Sequence, residues 1–387
     1  MAVFLVFSFL LSIQLFISYF WVHSGIYNML LPSKPWIIHL INYISWGQNF
    51  KLTITLIWII LIILLSAIQI YLFSSKILTK FSLKKLFVFA FIAALISSFS
   101  YNFLSSDIFT YLFAGKIATF FHTNPYLVLP KHFVGQELWL QFTLWIDKVY
   151  YFIGPYEITY RYGPVFLFYS LIPFFIFTAN RFLGVYFGLK ILNLIVFMLC
   201  GWLLLKINKF NKKIFAVWFF NPLLLLELLV NSHNDLLMIF LFFLAVFLIS
   251  LKQKKWGIIA FILSIATKFA TAPLFFIFFT KEKIKQILFK IAGFGILFYF
   301  ALNPLYSWYY SWVYLVFPFT NVKKRTWILF FILQLILIII QYHRLVLENK
   351  LGSLIWLPLE PIIRWGIPAL MLVSEIYKDK SSVKIHS

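Results

Sequence analysis

"LTITLIWIILIILLSAIQIYLFS" (residues 52–74) runs for 23 residues without a charged side chain. About 20 apolar residues are enough to cross the hydrocarbon core of a bilayer, and in lipid a helix is one of the few structures that satisfies its own backbone groups. This run therefore reads as a membrane-spanning helix. Similar apolar runs lie at about 2–22, 86–101, 163–178, 183–205, 214–230, 236–251, 256–280, 286–302, 308–320, 326–341 and 351–375. Several are shorter than a span, so some helices must be tilted, broken or re-entrant. The expectation is an all-α polytopic membrane protein with about 10–12 transmembrane or re-entrant helices. No linker divides it, so residues 1–387 form a single transmembrane domain.

Composition agrees. Hydrophobic residues make up 63% of the chain and charged ones 11%, against roughly half and a quarter in a soluble domain. A net charge of +22 would point to nucleic acid in a soluble protein. Here most Lys sits in short clusters between apolar runs, where topology and anionic lipid account for it and no nucleic-acid partner is needed. The single Cys200 excludes an internal disulfide, and no zinc-ligand spacing occurs. The first 22 residues lack a basic leader and a small-residue cleavage site, so they read as a retained span and not as a signal peptide.

Of the 33 Lys and Arg, 21 fall in six clusters, at 76–85, 206–213, 252–255, 281–290, 323–325 and 378–384. The positive-inside rule places these in the cytoplasm, together with the N-terminus. The segment 102–162 and the turn 231–235 then face outside, on the plasma membrane of a multi-pass protein. Parity requires that one run near 163–178, interrupted by Pro164 and Pro173, does not cross. The run 256–280 has basic clusters on both sides and reads as a hairpin with Lys268 at or near its external tip. The loop 102–162 is rich in Trp and Tyr broken by charges, which fits helices lying on the membrane surface.

With only 11 acids in the chain, each position counts. Most lie in basic, terminal or surface loops, and Glu360 sits between Pro358 and Pro361. Asp107, Glu227 and Asp235 lie at or inside membrane boundaries, where an ionisable group is costly and function is the default hypothesis. Asp107 falls in "SYNFLSSDIFTYLFAGK" (100–116). It fits two roles, a helix N-terminal cap or a general base whose basicity burial has raised. In "ELLVNSHNDLL" (227–237), Glu227, Asn231 and Asp235 are spaced i, i+4, i+8. A continuing helix would put them on one face, whereas a turn would use Asn231, Asn234 and Asp235 as caps and leave Glu227 unexplained. Lys268 and Arg161 fit either snorkelling charges or phosphate ligands. Asn124–Pro125–Tyr126 is a turn starter. The aromatic cluster "NPLYSWYYSW" (303–312) fits an interfacial belt or a wall for sugar or lipid.

Four blocks in order, "SSDIFTYLFAGKIATFFHTNPYLVLP" (105–130), "RYGPVFLFYSLIPFF" (161–175), "FNPLLLLELLVNSHNDLLMIFLFFLAVFL" (220–248) and "LSIATKFATAPLF" (263–275), resemble the GT-C superfamily of integral-membrane glycosyltransferases. The resemblance is to its bacterial mannosyltransferase-like branch that uses polyprenyl-phosphate sugars. It implies a GT-C-like bundle with a large external loop carrying surface helices. It also implies an inverting hexosyl transfer, mannosyl by the same resemblance, from a polyprenyl-phosphate donor to a glycan or glycolipid acceptor on the external face. Asp107 matches the family's catalytic acid and would act as base. Arg161 and Lys268 match its basic positions and would bind the donor phosphate, with His233 as a third candidate. Glu227, Asn231, Asn234, Asp235, Asn124, Tyr126 and Tyr162 are then the substrate-binding residues. Ser106 stands where many relatives carry a second acid, so no metal and no cofactor are expected. The competing classes are a lipid-linked glycan flippase and a polysaccharide ligase or polymerase. A flippase should show internal repeats and mid-span charges; a ligase should show Arg and His pairs for a diphosphate.

Overall fold

The computed structural model describes residues 1–20, 48–133, 158–177, 182–280, 282–303, 306–346 and 351–376. Among these residues every regular element is helical and no strand occurs. Helix α1 (Ala2–Phe20) packs against α2 (Gln48–Ser74) and α3 (Leu83–Phe99). Helix α4 (Asp107–Thr119) follows, then α5 (Pro164–Ile176) and α6 (Phe182–Ile207). Helix α7 (Asp235–Ser250) pairs closely with α8 (Lys254–Thr267) and with α6. The bundle closes with α9 (Glu282–Leu302), α10 (Lys324–Val346) and α11 (Leu351–Ile376). Within these elements, Ala2–Tyr19, Thr53–Ser74, Phe182–Ile207, Ile284–Leu302 and Lys324–Gln341 are long and apolar enough to cross a membrane. At 1.5 Å per residue, the 13 residues of α5 reach only about 20 Å, too short to cross alone.

Between α6 and α7 the chain winds more widely. Phe215–Phe219 and Leu225–Val230 are π-helical, joined by the α-turn Pro222–Leu224. Asn221 starts that turn: its side chain accepts from the amides of Leu223 at 2.9 Å and Leu224 at 3.2 Å, and Pro222 needs no donor at this position. The whole stretch 214–235 is buried, and the pair Pro222–Val230 and Asp235–Ser250 is bent by 112°. π-Helical turns are rare and cluster at functional sites, and these lead directly to the acid-bearing turn.

Helices in lipid gain little from excluding water, so ring packing and polar contacts hold them together. The abundant Phe supplies the rings. Phe4 stacks on Phe89 at 4.6 Å and meets Phe81 edge-on at 5.2 Å, joining α1 to α3. Gln69 of α2 donates to Ala216 O at 3.2 Å, tying a long span to the π-helical stretch. On α11, Arg364 pairs with Glu360 at 2.6 Å and donates to Phe300 O at 3.3 Å, which accounts for that acid as an internal tie.

The loop expected to carry surface helices opens differently. Residues 108–117 of α4 are all buried, so this helix is enclosed by protein and has no face for headgroups. The aromatic stretch on which surface helices were expected lies mostly at 134–157, outside the described residues.

Candidate functional site

Asp107 is placed by a short polar lattice at the exit of α3. Asn102 donates to Ser105 O at 2.8 Å and accepts from the Tyr186 hydroxyl at 2.7 Å. Ser105 Oγ accepts from the Asp107 amide at 3.2 Å, and the Leu104 amide donates to Asn231 Oδ1 at 3.4 Å. Asp107 is the first residue of α4, where a carboxylate suits the helix dipole. Its side chain nevertheless turns to His233, with Oδ2 at 3.1 Å from Nδ1.

The turn 231–234 does not continue the preceding helix. Ser232 adopts φ 59°, a left-handed conformation that reverses the winding, and Asp235 then opens α7. The i, i+4, i+8 face of a continuing helix is therefore split. Asn231 Nδ2 donates to Glu227 Oε2 at 2.7 Å, whereas Asp235 leaves for a different partner. His233 Nε2 lies 3.3 Å from Glu227 Oε2, so the imidazole sits between two carboxylates. Its face stacks on Trp308 at 4.3 Å, and Trp308 stacks on Tyr306 at 4.2 Å. His233 is fully buried and is not among the residues lining the cavity beside Asp107, so it does not reach the space where a donor phosphate was expected to meet it. Glu227 Oε1 also takes a hydrogen bond from the Ser307 hydroxyl, and the Ser307 amide donates to Gln341 Oε1 at 2.6 Å.

Lys268 stands at a break in the backbone. Helix α8 ends at Thr267, Lys268 is extended (φ −158°, ψ 128°), and a 3-10 helix runs on from Phe269 to Phe279. Its ammonium donates to Asp235 Oδ1 at 2.9 Å and lies over the rings of Tyr309 at 4.9 Å and Trp312 at 5.2 Å. Trp312 Nε1 also donates to Asp235 Oδ1. The break is braced by Gly163, whose amide donates to Thr267 O at 3.3 Å. Only glycine fits there, because an added Cβ would lie 1.9 Å from Ala266 O.

These segments enclose a cavity of about 530 Å³. Asp107, Arg161, Tyr162, Asn234, Lys268 and Trp308 are among the residues lining it. The Asp107 side chain is 27% exposed and that of Lys268 20%, so one acid and one base reach the same space. Asn234 is held by its amide, which donates to the Tyr111 hydroxyl at 3.3 Å, while its own Nδ2 is buried with no protein partner among the described residues. Glu227, Asn231 and Asp235 stand behind this wall. Asn124 is exposed and accepts from the Tyr126 amide at 3.0 Å, closing the Asn-Pro turn. The Tyr126 hydroxyl donates to Tyr162 O at 3.0 Å and so supports the cavity from behind.

Asp107 and His233 lie in the connecting segments, not in the apolar spans. Burial pushes Asp107 up, but the His233 hydrogen bond and charge outweigh it and hold the carboxyl below its usual range. Burial pulls His233 down, yet the hydrogen bond to Asp107 and the charges of Asp107 and Glu227 raise it to about 9. Among the described residues, no group of three or more His, Cys, Asp or Glu is arranged to hold a metal ion. The cavity cations are Lys268 and Arg161.

Sequence reading did not find Ser307, Gln341, Tyr111 or Lys190. Ser307 and Trp312 lie in the aromatic cluster 303–312, which had the right neighbourhood without the partners. Lys190 interrupts an apolar run, the same signal that singled out Lys268.

The alpha-(1->6)-mannopyranosyltransferase N-terminal-domain family matches residues 18–281 of the chain, about two thirds of it and all of the cavity wall except the 306–312 aromatics. No curated protein and no solved structure matches the chain. The chain thus belongs to this family of GT-C-type mannosyltransferases and is a membrane glycosyltransferase.

Proposed function

We propose that the protein transfers a mannosyl group from a polyprenyl-phosphate donor to a hydroxyl of a glycan or glycolipid acceptor, with inversion. The observation that carries this reading is one cavity into which Asp107, Lys268 and Arg161 all reach. Glycosyl transfer needs that combination. A base removes the proton of the acceptor hydroxyl, whose oxygen attacks the anomeric carbon. The bond from that carbon to the phosphate oxygen breaks, and negative charge grows on the leaving phosphate. Asp107 takes the proton in this reading. Lys268 supplies a point charge and Arg161 a planar fork for the phosphate, so the charge is met by side chains and not by a divalent ion. Asn234 Nδ2 is available to donate to a sugar hydroxyl, and Trp308 and Tyr309 border the space in which the sugar would sit. The distribution of Lys and Arg supports an external plasma-membrane site.

The test is sugar transfer in membranes expressing the protein, with radiolabelled polyprenyl-phosphate mannose and, separately, polyprenyl-phosphate glucose. Transfer from the mannose donor that disappears in Asp107→Asn at equal protein level supports the reading. Transfer that survives this substitution removes Asp107 as base. Labelled lipid that changes leaflet without being consumed points to a lipid transporter instead.

A further inference from the structure

Asp107 is not aimed by its helix alone. Its Oδ2 meets His233 Nδ1 at 3.1 Å, and His233 Nε2 lies 3.3 Å from Glu227 Oε2. An acid faces each ring nitrogen: Nδ1 hydrogen-bonds Asp107, while Nε2 has no hydrogen-bond partner among the described residues and meets Glu227 as a charge contact, and two negative neighbours favour the imidazolium. Every further contact fixes this ring. Trp308 covers its face at 4.3 Å. Glu227 is held at both oxygens, by Asn231 on Oε2 and Ser307 on Oε1, and the Ser307 amide in turn by Gln341. The His233 and Glu227 side chains are fully buried, while Asp107 opens to the cavity.

We propose that His233 and Glu227 form a positioning unit: Glu227 keeps His233 as an imidazolium, and the imidazolium grips one oxygen of Asp107 so that the other faces the acceptor hydroxyl as an ionised base. Glu227 touches no cavity surface, which explains why an acid lies a full turn below the nearest cap position. The other charged or titratable groups facing this unit are Tyr111 of α4, Tyr162 and Arg161 before α5, Asp235 of α7, Lys268 after α8 and Tyr309 of the 306–312 aromatics. All of them remain in the variants below.

This inference rests on the proposed transfer for its kinetic test and is independent of it for its spectroscopic one. The first measurement is NMR of the full-length protein in nanodiscs with ring-labelled histidine, across pH 6–10. One of the seven histidines, identified by its absence in His233→Gln, should remain an imidazolium at pH 8. In Glu227→Gln that signal should titrate at least about one unit lower, as expected on losing an opposite charge at this range. A His233 that titrates in the ordinary range in the wild type overturns the proposal, whether or not any sugar is transferred. The second measurement is the pH profile of transfer at saturating donor. His233→Gln should move the acid limb, set by Asp107, upward by about one unit or more, and Glu227→Gln should bring the alkaline limb down. Glu227→Asp should recover part of the wild-type profile. Rates that fall equally at every pH, with both limbs in place, mean that the pair only supports the fold. Absence of transfer in the wild type, with the imidazolium present, removes the proposed function and leaves the charged clamp standing.

Discussion

Lys190 joins the carbonyl of Ser100 to that of Val230, donating to each at 2.7 Å from one ammonium. A third contact reaches Leu229 O at 3.4 Å. Ser100 begins the segment that delivers Asp107, and Val230 ends the π-helical turn that delivers His233. The lysine is buried, so its three donors are spent on these backbone oxygens. Substituting Lys190→Met takes this donor from the Ser100 and Val230 carbonyls, at about 1–3 kcal/mol each, while Leu229 O keeps the Ser232 hydroxyl. A lower melting temperature in detergent is expected, with a larger loss of transfer than Lys190→Arg gives. A variant that melts with the wild type would show that the clamp is dispensable.

Lys268 and Arg161 should separate in their effects. Lys268→Met leaves Asp235 buried without its cation, so both stability and transfer should fall. Arg161 is exposed at the cavity rim, and Arg161→Gln should leave the melting temperature unchanged while raising the donor KM about tenfold, which corresponds to roughly 1.4 kcal/mol. Equal KM values for Arg161→Gln and wild type would take this residue away from the phosphate.

Gly163→Ala should be disproportionately harmful for the addition of one methyl group. The new Cβ would meet the carbonyls of Ala266 and Thr267 at 1.9 and 2.7 Å, and backbone cannot move aside as a side chain tip does. The Lys268 break must shift, so transfer should fall more than tenfold with a measurable drop in melting temperature. Wild-type kinetics in this variant would show that the break has slack.

Stability should also carry the signature of His233. Its folded value, raised from about 6.5 to about 9 by Asp107 and Glu227, means that the folded state binds this proton more tightly than the unfolded one. The stabilisation is complete below pH 6.5 and is lost as pH rises through about 9. Thermal melts between pH 6 and 10 should show this decline in the wild type and a flatter curve in His233→Gln. Parallel curves would remove the linkage.

The membrane class was legible because it depends on composition and run length, which tertiary contacts do not alter. Runs such as 52–74 and 183–205 became helices close to the expected bounds. Asp107, Arg161, Tyr162, Asn234 and Lys268 were singled out by charge or motif and do line one cavity. The roles within the turn 231–235 were not legible. A spacing of four residues implies one face only if α-helical winding persists, and here it is replaced first by π-winding and then by a left-handed Ser232. His233 looked like a phosphate ligand because nothing local shows that Glu227 and Asp107, 120 positions apart, meet on either side of its ring. Ser307 and Gln341 carry no charge and no motif, so only the fold reveals them.

The widened turns at Phe215–Phe219 and Leu225–Val230 tie the chemistry to a count of residues. Their bonds run from residue i+5 back to i, as from the Asn231 amide to Leu226 O at 2.8 Å. The extra residue fits only because the winding is wide, and tightening either turn to α-helical pitch with every residue kept would advance the winding. Everything beyond would then rotate by about 100° about the helix axis. Glu227 or His233 would swing out of line while every apolar side chain stayed apolar. Insertions here should therefore produce proteins that reach the membrane in normal amount and transfer nothing, a silent class of variant that composition-based screens would pass as intact.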